Sequence, residues 1–332
     1  MSNDILTSLL SDYEQKKRKA EVNFEHQKIE LYKKIPRLQE IEDELNSVAI
    51  NETKNILFGN SSSLENLHQK IENLKEERKK ILSENNLSLN DLQPKYECCL
   101  CKDTGYIKSG TSATVMCSCL KQKLLNISYN KSNMTNLSKE NFENFNANIF
   151  SNEISSNFNI SPKQNILNIK QKCIEFVNEF DNPNTKNLLF TGNTGLGKTY
   201  MSNCIANELI KKGKNVLYQT APVLLETIID NKFNKYKTSN KDSFYKDVLE
   251  ADLLIIDDLG TECLNSMKLS ELFTILNTRI LNLNNKVTKT IISTNLNINN
   301  IFKSYEERIG SRIVGYYDIY YFFGEDLRFK RK

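Results

Sequence analysis

Apolar residues recur at steps of three and four from residue 1 to about 92. Leu31, Ile35, Leu38, Ile41, Leu45 and Val48 form one stripe, and Leu64, Leu67, Ile71, Leu74 and Ile81 form a second, with charges between them. That period predicts amphipathic helices. Pro36 fits a helix start or a kink, and Phe58-Gly59-Asn60-Ser61-Ser62-Ser63 predicts the turn between two helices. The stripes can close into an antiparallel α-helical hairpin in which each covers the other's apolar face. Such a hairpin is either self-contained or a docking surface for a partner, since neither stripe alone supplies much core.

The pattern then fades. From about Lys121 to Lys170 the chain is rich in Asn, Ser and Lys, which predicts a linker with short helical pieces around Phe142 and Ile166. Short, nearly continuous apolar runs follow at Leu188–Thr191, Val216–Thr220, Leu253–Ile256, Thr290–Thr294 and Ile319–Phe323. Helical spacing separates them, as at Ile205 and Leu209. Runs of this kind are strands of a parallel sheet covered on both faces, so the fold class is α/β with a five-stranded parallel sheet.

Composition narrows the class. The 332 residues are 39% hydrophobic and 26% charged, enough for a core but leaving solvated helix or linker besides. No apolar run approaches 18 residues, which argues against a membrane span. Met1 to Asp12 shows no basic stretch leading into an apolar one, so no secretory signal is read. The expectation is a soluble cytoplasmic protein with no membrane partner. Asn is so frequent that triplets such as Asn126-Ile127-Ser128 arise by chance. Net charge is +4 from 45 basic and 41 acidic residues. Residues 1–95 hold 15 basic against 17 acidic, and the remainder 30 against 24, so any pull on nucleic acid sits in the C-terminal part.

The first run of chemistry is at residues 192–199. The strand Leu188–Thr191 enters Gly192-Asn193-Thr194-Gly195-Leu196-Gly197-Lys198-Thr199, and a helix follows. Strand, glycine loop and helix in that order make a P-loop. Its glycines let backbone N–H groups face phosphates, and the helix N-terminus adds its positive dipole end. Lys198 is expected on the β- and γ-phosphates of ATP, and Thr199 on Mg²⁺. The third apolar strand ends in Asp257 and Asp258, of which the first would bind the metal and the second polarise the attacking water. One of the two can instead cap the turn. Asn295, at the carboxyl end of a further strand, is placed to orient water against the γ-phosphate.

Eight cysteines in a chain with no secretory signal point to reduced thiols. Five lie between Cys98 and Cys119; Cys173, Cys204 and Cys263 are dispersed and read as small hydrophobes. Cys98-x-x-Cys101 and Cys117-x-Cys119, separated by Asp103-Thr104-Gly105-Tyr106, can bring four thiolates to one structural zinc ion. Cys99 is a competing ligand, and reduced thiols without metal are the alternative. Asn231-Lys232-Phe233-Asn234-Lys235-Tyr236-Lys237 interleaves basic and aromatic residues, as single-stranded DNA binding would require, or is a solvated helix face. The basic tail Arg328-Phe329-Lys330-Arg331-Lys332 reads as solvated.

Taken together these residues resemble the AAA+ ATPases of the DnaC/DnaI type, bacterial replicative helicase loaders, and their IstB transposition relatives. The resemblance covers roughly residues 96–332. Its carriers are Gly192 to Thr199, Leu254-Ile-Ile-Asp-Asp-Leu-Gly260, Ser293-Thr-Asn295, Glu307-Arg-Ile-Gly-Ser-Arg312 and Gly324-Glu-Asp-Leu-Arg328. It implies that Asn295 is the sensor-1 residue and Arg328 the sensor-2 arginine. Arg312 would be an arginine finger acting on a neighbouring subunit's ATP, with Arg308 beside it; the alternative is that Arg312 pairs with a nearby acid to hold its own helix. Only four residues follow Arg328, which implies a core without the helical lid of most AAA+ proteins. The cysteine segment is similar to the zinc-containing region of DnaI-like loaders, which favours a loader over a transposition helper.

The expectation is therefore a P-loop AAA+ core preceded by a helical hairpin and a small zinc-binding module. Its regions would be a partner-binding, coiled-coil-like 1–95, a cysteine module 96–124, a linker 125–165 and an ATPase 166–332. The implied partners are a hexameric replicative helicase, single-stranded DNA and further copies of the chain meeting at the ATP site. The implied cofactors are ATP, Mg²⁺ and Zn²⁺. A transposition helper on duplex DNA and an ATP-switched adaptor without DNA contact are the alternatives.

Overall fold

The computed structural model describes residues 2–57, 64–109, 113–130, 139–233, 241–281 and 286–330. The chain divides into two units, Asn3–Cys117 and Ser118–Lys332.

Among the described residues the first unit holds three α-helices where the apolar stripes predicted a pair. They are α1 (Ser2–Lys34), α2 (Pro36–Leu57) and α3 (Leu64–Glu84). Pro36 explains the extra break. It has no N–H to give the preceding turn and its ring clashes there, but it is well suited to the first position of a new helix. The two stripes fall mainly on α2 and α3, where Leu38, Ile41, Val48, Leu74 and Leu82 are buried. Arg37, at the start of α2, donates from Nε and Nη2 to Glu77 near the end of α3, at 2.8 and 3.0 Å, which fixes an antiparallel pair. Lys28 of α1 pairs with Glu42 of α2 at 2.8 Å, and α1 buries its own Leu9 and Tyr13. The turn expected at 58–63 lies outside the described residues. After α3 the chain forms a short antiparallel hairpin of β1 (Tyr106–Ser109) and β2 (Ala113–Met116).

The second unit is built on a five-stranded sheet. Its strands are β3 (Asn187–Gly192), β4 (Val216–Thr220), β5 (Leu253–Leu259), β6 (Lys289–Thr294) and β7 (Tyr317–Phe322), in the order β4-β5-β6-β3-β7. Every pairing is parallel. Side chains alternate between two cores, as the strand period demands. Leu188, Phe190, Val216, Leu253, Ile255 and Ile291 pack with α5 (Pro162–Asn178) and α6 (Lys198–Lys211) on one face. Leu189, Leu217, Leu254, Ile256 and Ile292 face α7 (Ala221–Phe233), α8 (Lys241–Glu250), α9 (Ser266–Ile280) and α10 (Ile298–Tyr316) on the other. Burial on both faces is why these strands read as unbroken apolar runs. Each such side chain contributes about 1.5–3 kcal/mol of transfer free energy.

Arg279 of α9 is wholly buried, and its direct partners are backbone carbonyls and a hydroxyl. Its guanidinium donates to the carbonyls of Val248, Ala251 and Lys289 at 2.8, 3.0 and 2.6 Å and to Thr290 Oγ1 at 3.0 Å. Burial pushes its pKa down to about 10. At the outer edge of the sheet, Gln122 of α4 (Ser118–Leu125) pairs with both backbone groups of Val216, at 2.7 and 3.0 Å. An edge strand is thereby capped by a side chain that imitates a neighbouring backbone. Helix α10 is broken in the middle, with Tyr305 at φ −113° and Glu306 at φ 63°. Among the described residues no helix is long and apolar enough to cross a membrane.

Candidate functional site

The carboxyl ends of β3, β5 and β6 open on one cavity of about 360 Å³, the usual place for a ligand in a parallel sheet. The loop from Gly192 to Gly197 wraps it, and α6 begins at Lys198 with Gly197 as its cap. Two glycines are required sterically. Gly192 has φ +139° and a Cβ there would overlap the Phe322 carbonyl of β7; Gly195 has φ +74° and a Cβ would overlap the Asp326 carboxylate. The residues after β7 close over the loop, where the Leu327 N–H donates to the Gly195 carbonyl at 3.0 Å. This brings Arg328, far away in sequence, to the cavity wall beside Thr194 to Thr199, Asp258 and Asn295.

Lys198 lies at the centre. Its ammonium donates to the carbonyls of Gly192 and Asn193, both at 2.6 Å, and to Asn295 Oδ1 at 2.8 Å. Burial pushes its pKa down to about 8 against the pull of Asp258 and Asp257. A cation held in a dry loop of this kind gains most from an incoming anion.

The two aspartates differ in environment although they are adjacent. Asp257 is buried and held on all sides: Thr199 Oγ1 donates to its Oδ2 at 3.0 Å, Tyr218 also donates to Oδ2, and Ser293 donates to Oδ1. The Asp258 N–H donates to Oδ1 at 3.1 Å. Asp258 turns the other way, with φ +55°, and its carboxyl faces the cavity. Burial, and then the neighbouring Asp257, raise its pKa. The hydroxyl of Thr199 beside the Asp257 carboxylate is a hard-oxygen pair of the kind Mg²⁺ takes.

The four cysteines also meet. The sulfur atoms of Cys98, Cys101, Cys117 and Cys119 lie within 4.8 Å of one another, and the Cys98–Cys117 separation is 3.9 Å. Tetrahedral thiolates about 2.3 Å from a zinc ion stand about 3.8 Å apart, so the set fits that metal. Asp103 fixes the first turn by accepting from the backbone N–H of Glu97 and Cys98, both at 2.9 Å. Cys99, the competing ligand in the sequence, is exposed and outside the set.

A family model described as IstB-like ATP binding protein matches residues 136–309. The chain belongs to the IstB-like ATP-binding protein family. The replicative helicase loader DnaC of Escherichia coli (strain K12) is 33% identical over 96 residues, covering 29% of this chain and 38% of DnaC. The chromosomal replication initiator protein DnaA of Helicobacter hepaticus is 39% identical over 72 residues, 22% of this chain and 15% of DnaA. The chain thus spans less than two fifths of the length of these curated relatives. Among solved structures, a crystal structure of the DnaC helicase loader aligns with TM-score 0.45 and 22% identity, over 57% of this chain and 99% of that one. AMPPCP-bound DnaA from Aquifex aeolicus aligns with TM-score 0.43 and 20% identity, over 58% and 53%.

In this IstB-like protein Arg308 and Arg312 do not line the cavity. They lie on α10, with guanidinium carbons 4.6 and 4.3 Å from the centre of the Phe273 ring. Arg312 Nε donates to Asn277 Oδ1 at 2.8 Å, and Arg308 Nε pairs with Glu306 at 2.8 Å. Arg312 is therefore held by a ring and an amide rather than by the acid expected as the alternative. In the stretch expected to contact single-stranded DNA, Lys232 is engaged with Glu271 at 2.6 Å, and residues 234–237 lie outside the described residues.

Sequence reasoning missed one wall of the cavity. Residues 125–165 were expected to be a linker, yet Phe145, Ile149 and Phe150 face the glycine loop. Phe145 packs against Tyr200, and the Phe142 carbonyl accepts from Lys170 at 2.8 Å. The expected helical piece at Phe142 is a series of bends, while the one at Ile166 is α5. The aromatic spacing at 142, 145 and 150 was the available signal, hidden by the surrounding Asn and Ser.

Proposed function

We propose that this chain is an ATP-hydrolysing replication protein that loads a hexameric replicative DNA helicase. The observation that carries the ATPase reading is the convergence of Lys198, Asp258, Asn295 and Arg328 on one cavity beside a buried Asp257. The identity shared with DnaC is what favours loading as the role.

In this reading the triphosphate of ATP lies on the loop amides, with Lys198 and Arg328 on its charged oxygens. Mg²⁺, held by Thr199 and Asp257, would neutralise phosphate charge. Asp258 accepts a hydrogen bond from the attacking water, and the pKa that burial and the neighbouring Asp257 raise makes it a stronger base than an ordinary carboxylate. Asn295 orients that water. Arg312, with Arg308 beside it, reaches the ATP of a neighbouring copy, which makes the site complete only between subunits. Residues 1–95 bind the helicase, and residues 96–124 form a zinc module. The ATPase is taken from residue 139 rather than 166, because Phe145 and Phe150 wall the cavity.

The family match itself favours a second reading, a transposition helper that coats duplex DNA. Co-purification separates them: the first reading expects a stable complex with the host's hexameric helicase, lost on deletion of residues 1–95. Retention of duplex DNA with no helicase would support the second. For the cysteines, purified protein is expected to carry about one equivalent of zinc, lost in Cys101→Ser together with stability of residues 96–120. Metal-free protein with an unchanged melting curve would contradict the zinc assignment.

A further inference from the structure

At the break in α10 a contact reaches outside the helix. Tyr305 is completely buried, and its hydroxyl donates to Oε1 of Glu262 across 43 residues of chain. The other oxygen of Glu262 accepts from the Gly260 N–H at 2.9 Å. Gly260 is two residues beyond Asp258, in the turn where Thr261 Oγ1 donates to the Asp258 carbonyl at 2.8 Å. A single carboxylate therefore joins the turn that carries the cavity's aspartate to the point where α10 changes direction. The Tyr305 pKa is raised, by burial first and then by Glu262, so the phenol stays protonated and remains a donor.

The break itself is costly. Glu306 holds φ 63° and ψ 156°, a backbone region that side-chain-bearing residues seldom occupy. Such geometry persists where neighbours over-determine it, and it recurs at functional sites. Immediately after it come Arg308 and Arg312. Glu306 accepts from Arg308, and both guanidiniums share the Phe273 ring. The direction of the second half of α10 sets where these cations point, and the break that sets that direction lies at Tyr305 and Glu306.

From this we infer that Tyr305 and Glu262 are positioning residues. They couple the Asp258 turn of one subunit's ATP site to the placement of the arginines that the same subunit offers to its neighbour. The inference rests on the reading that Arg312 acts between subunits. Reading the ATP site on one side and presenting the finger on the other, the Glu262–Tyr305 pair would let nucleotide state pass around an assembly.

The test uses Tyr305→Phe, which keeps the ring and removes only the donor, in full-length protein at concentrations where wild-type subunits associate. ATP affinity is expected to be unchanged and turnover to fall by about a hundredfold, since a misplacement of about 1 Å costs that order of rate. Mixing then assigns the side of the defect. Tyr305→Phe with Lys198→Ala is expected to recover activity, because one brings an intact pocket and the other an intact finger. Tyr305→Phe with Arg312→Ala is expected to stay low, because neither brings a well-placed finger. The reverse pattern would place the hydroxyl's effect in its own pocket and overturn the inference, as would wild-type turnover in Tyr305→Phe. Glu262→Gln, with a neutral acceptor, is expected to show the same pairing pattern and serves if Tyr305→Phe does not fold. Should Arg312→Ala alone turn over like wild type, the shared site fails and the inference with it. Should Lys198→Ala with Arg312→Ala recover while Tyr305→Phe with Lys198→Ala does not, only the inference fails.

Discussion

The cations of the second unit sit in two settings. Lys198 is buried in the loop, desolvated, and ringed by carbonyls and an amide oxygen. Arg308 and Arg312 lie on α10, spread over one phenylalanine ring, away from the cavity that Lys198 faces. The first arrangement is prepared for an anion bound by its own subunit. The second keeps two permanently charged, planar donors oriented at low conformational cost while leaving them able to meet charge elsewhere. Under the function proposed above, the contrast means that one half of a phosphoryl-transfer site is enclosed in this unit and the other half would be presented on its surface.

The largest expected effect breaks the presented half. Arg312→Ala should lower ATP turnover by about 10³–10⁵, the range found when an arginine finger is removed, while ATP affinity stays near wild type. Turnover close to wild type, measured at concentrations where subunits associate, would remove the arginine from the chemistry.

A somewhat smaller effect sharpens the enclosed half. Asp258→Asn should slow hydrolysis by about 10²–10⁴ with ATP binding nearly intact, because the carboxylate acts on water chiefly in the transition state. Lys198→Ala should instead weaken ATP binding itself. Equal loss of affinity in both variants, read by titration calorimetry, would show that Asp258 and Asp257 have been given each other's roles.

The smallest effect separates the two kinds of cation by pH. Burial holds Lys198 near 8, below its ordinary 10.5, whereas bound phosphates would raise it again. Above about pH 8 the protein must take up a proton to bind ATP, so affinity should fall by up to about tenfold per pH unit. Lys198→Arg, which cannot lose its proton in this range, should flatten the dependence. Stability runs the other way for this group. Its depressed folded pKa is a cost that is complete below about pH 8 and is relieved as pH rises toward 10.5. Proton uptake measured in buffers of different ionisation enthalpy checks the sign, and affinity that is flat from pH 7 to about pH 9.5 would contradict it.

How much of this could be read from the sequence depended on how far apart the cooperating residues lie. The P-loop is legible because one turn of backbone builds it from contiguous residues, with Lys198 and Thr199 fixed by the helix start. Four of the five strands were legible because burial on both faces leaves unbroken apolar runs such as Leu253–Ile256, whereas β7, at the sheet edge, is buried mainly at its two ends and was read from its aromatic run. The strand ends carried Asp257, Asp258 and Asn295 with them. Tyr218 was not legible, since an aromatic residue in a strand looks like core and its hydroxyl on Asp257 exists only once β4 lies beside β5. Nor was the Glu262–Tyr305 pair, joined only by the packing of α10 on the turn after β5. The third helix was half legible: Pro36 fitted a helix start, which it is, or a kink, and the apolar stripe from Leu31 to Val48 runs straight through it.

The shared site is tested most directly by mixing two inactive proteins, Lys198→Ala and Arg312→Ala, with wild-type association verified under the same conditions. Each lacks one half of the site and carries the other. In a head-to-tail assembly of equal parts, about one interface in four would join an intact pocket to an intact finger, so about a quarter of the wild-type rate should return. A mixture as inactive as its components, under conditions where wild-type subunits associate and hydrolyse ATP, would contradict a site divided between subunits.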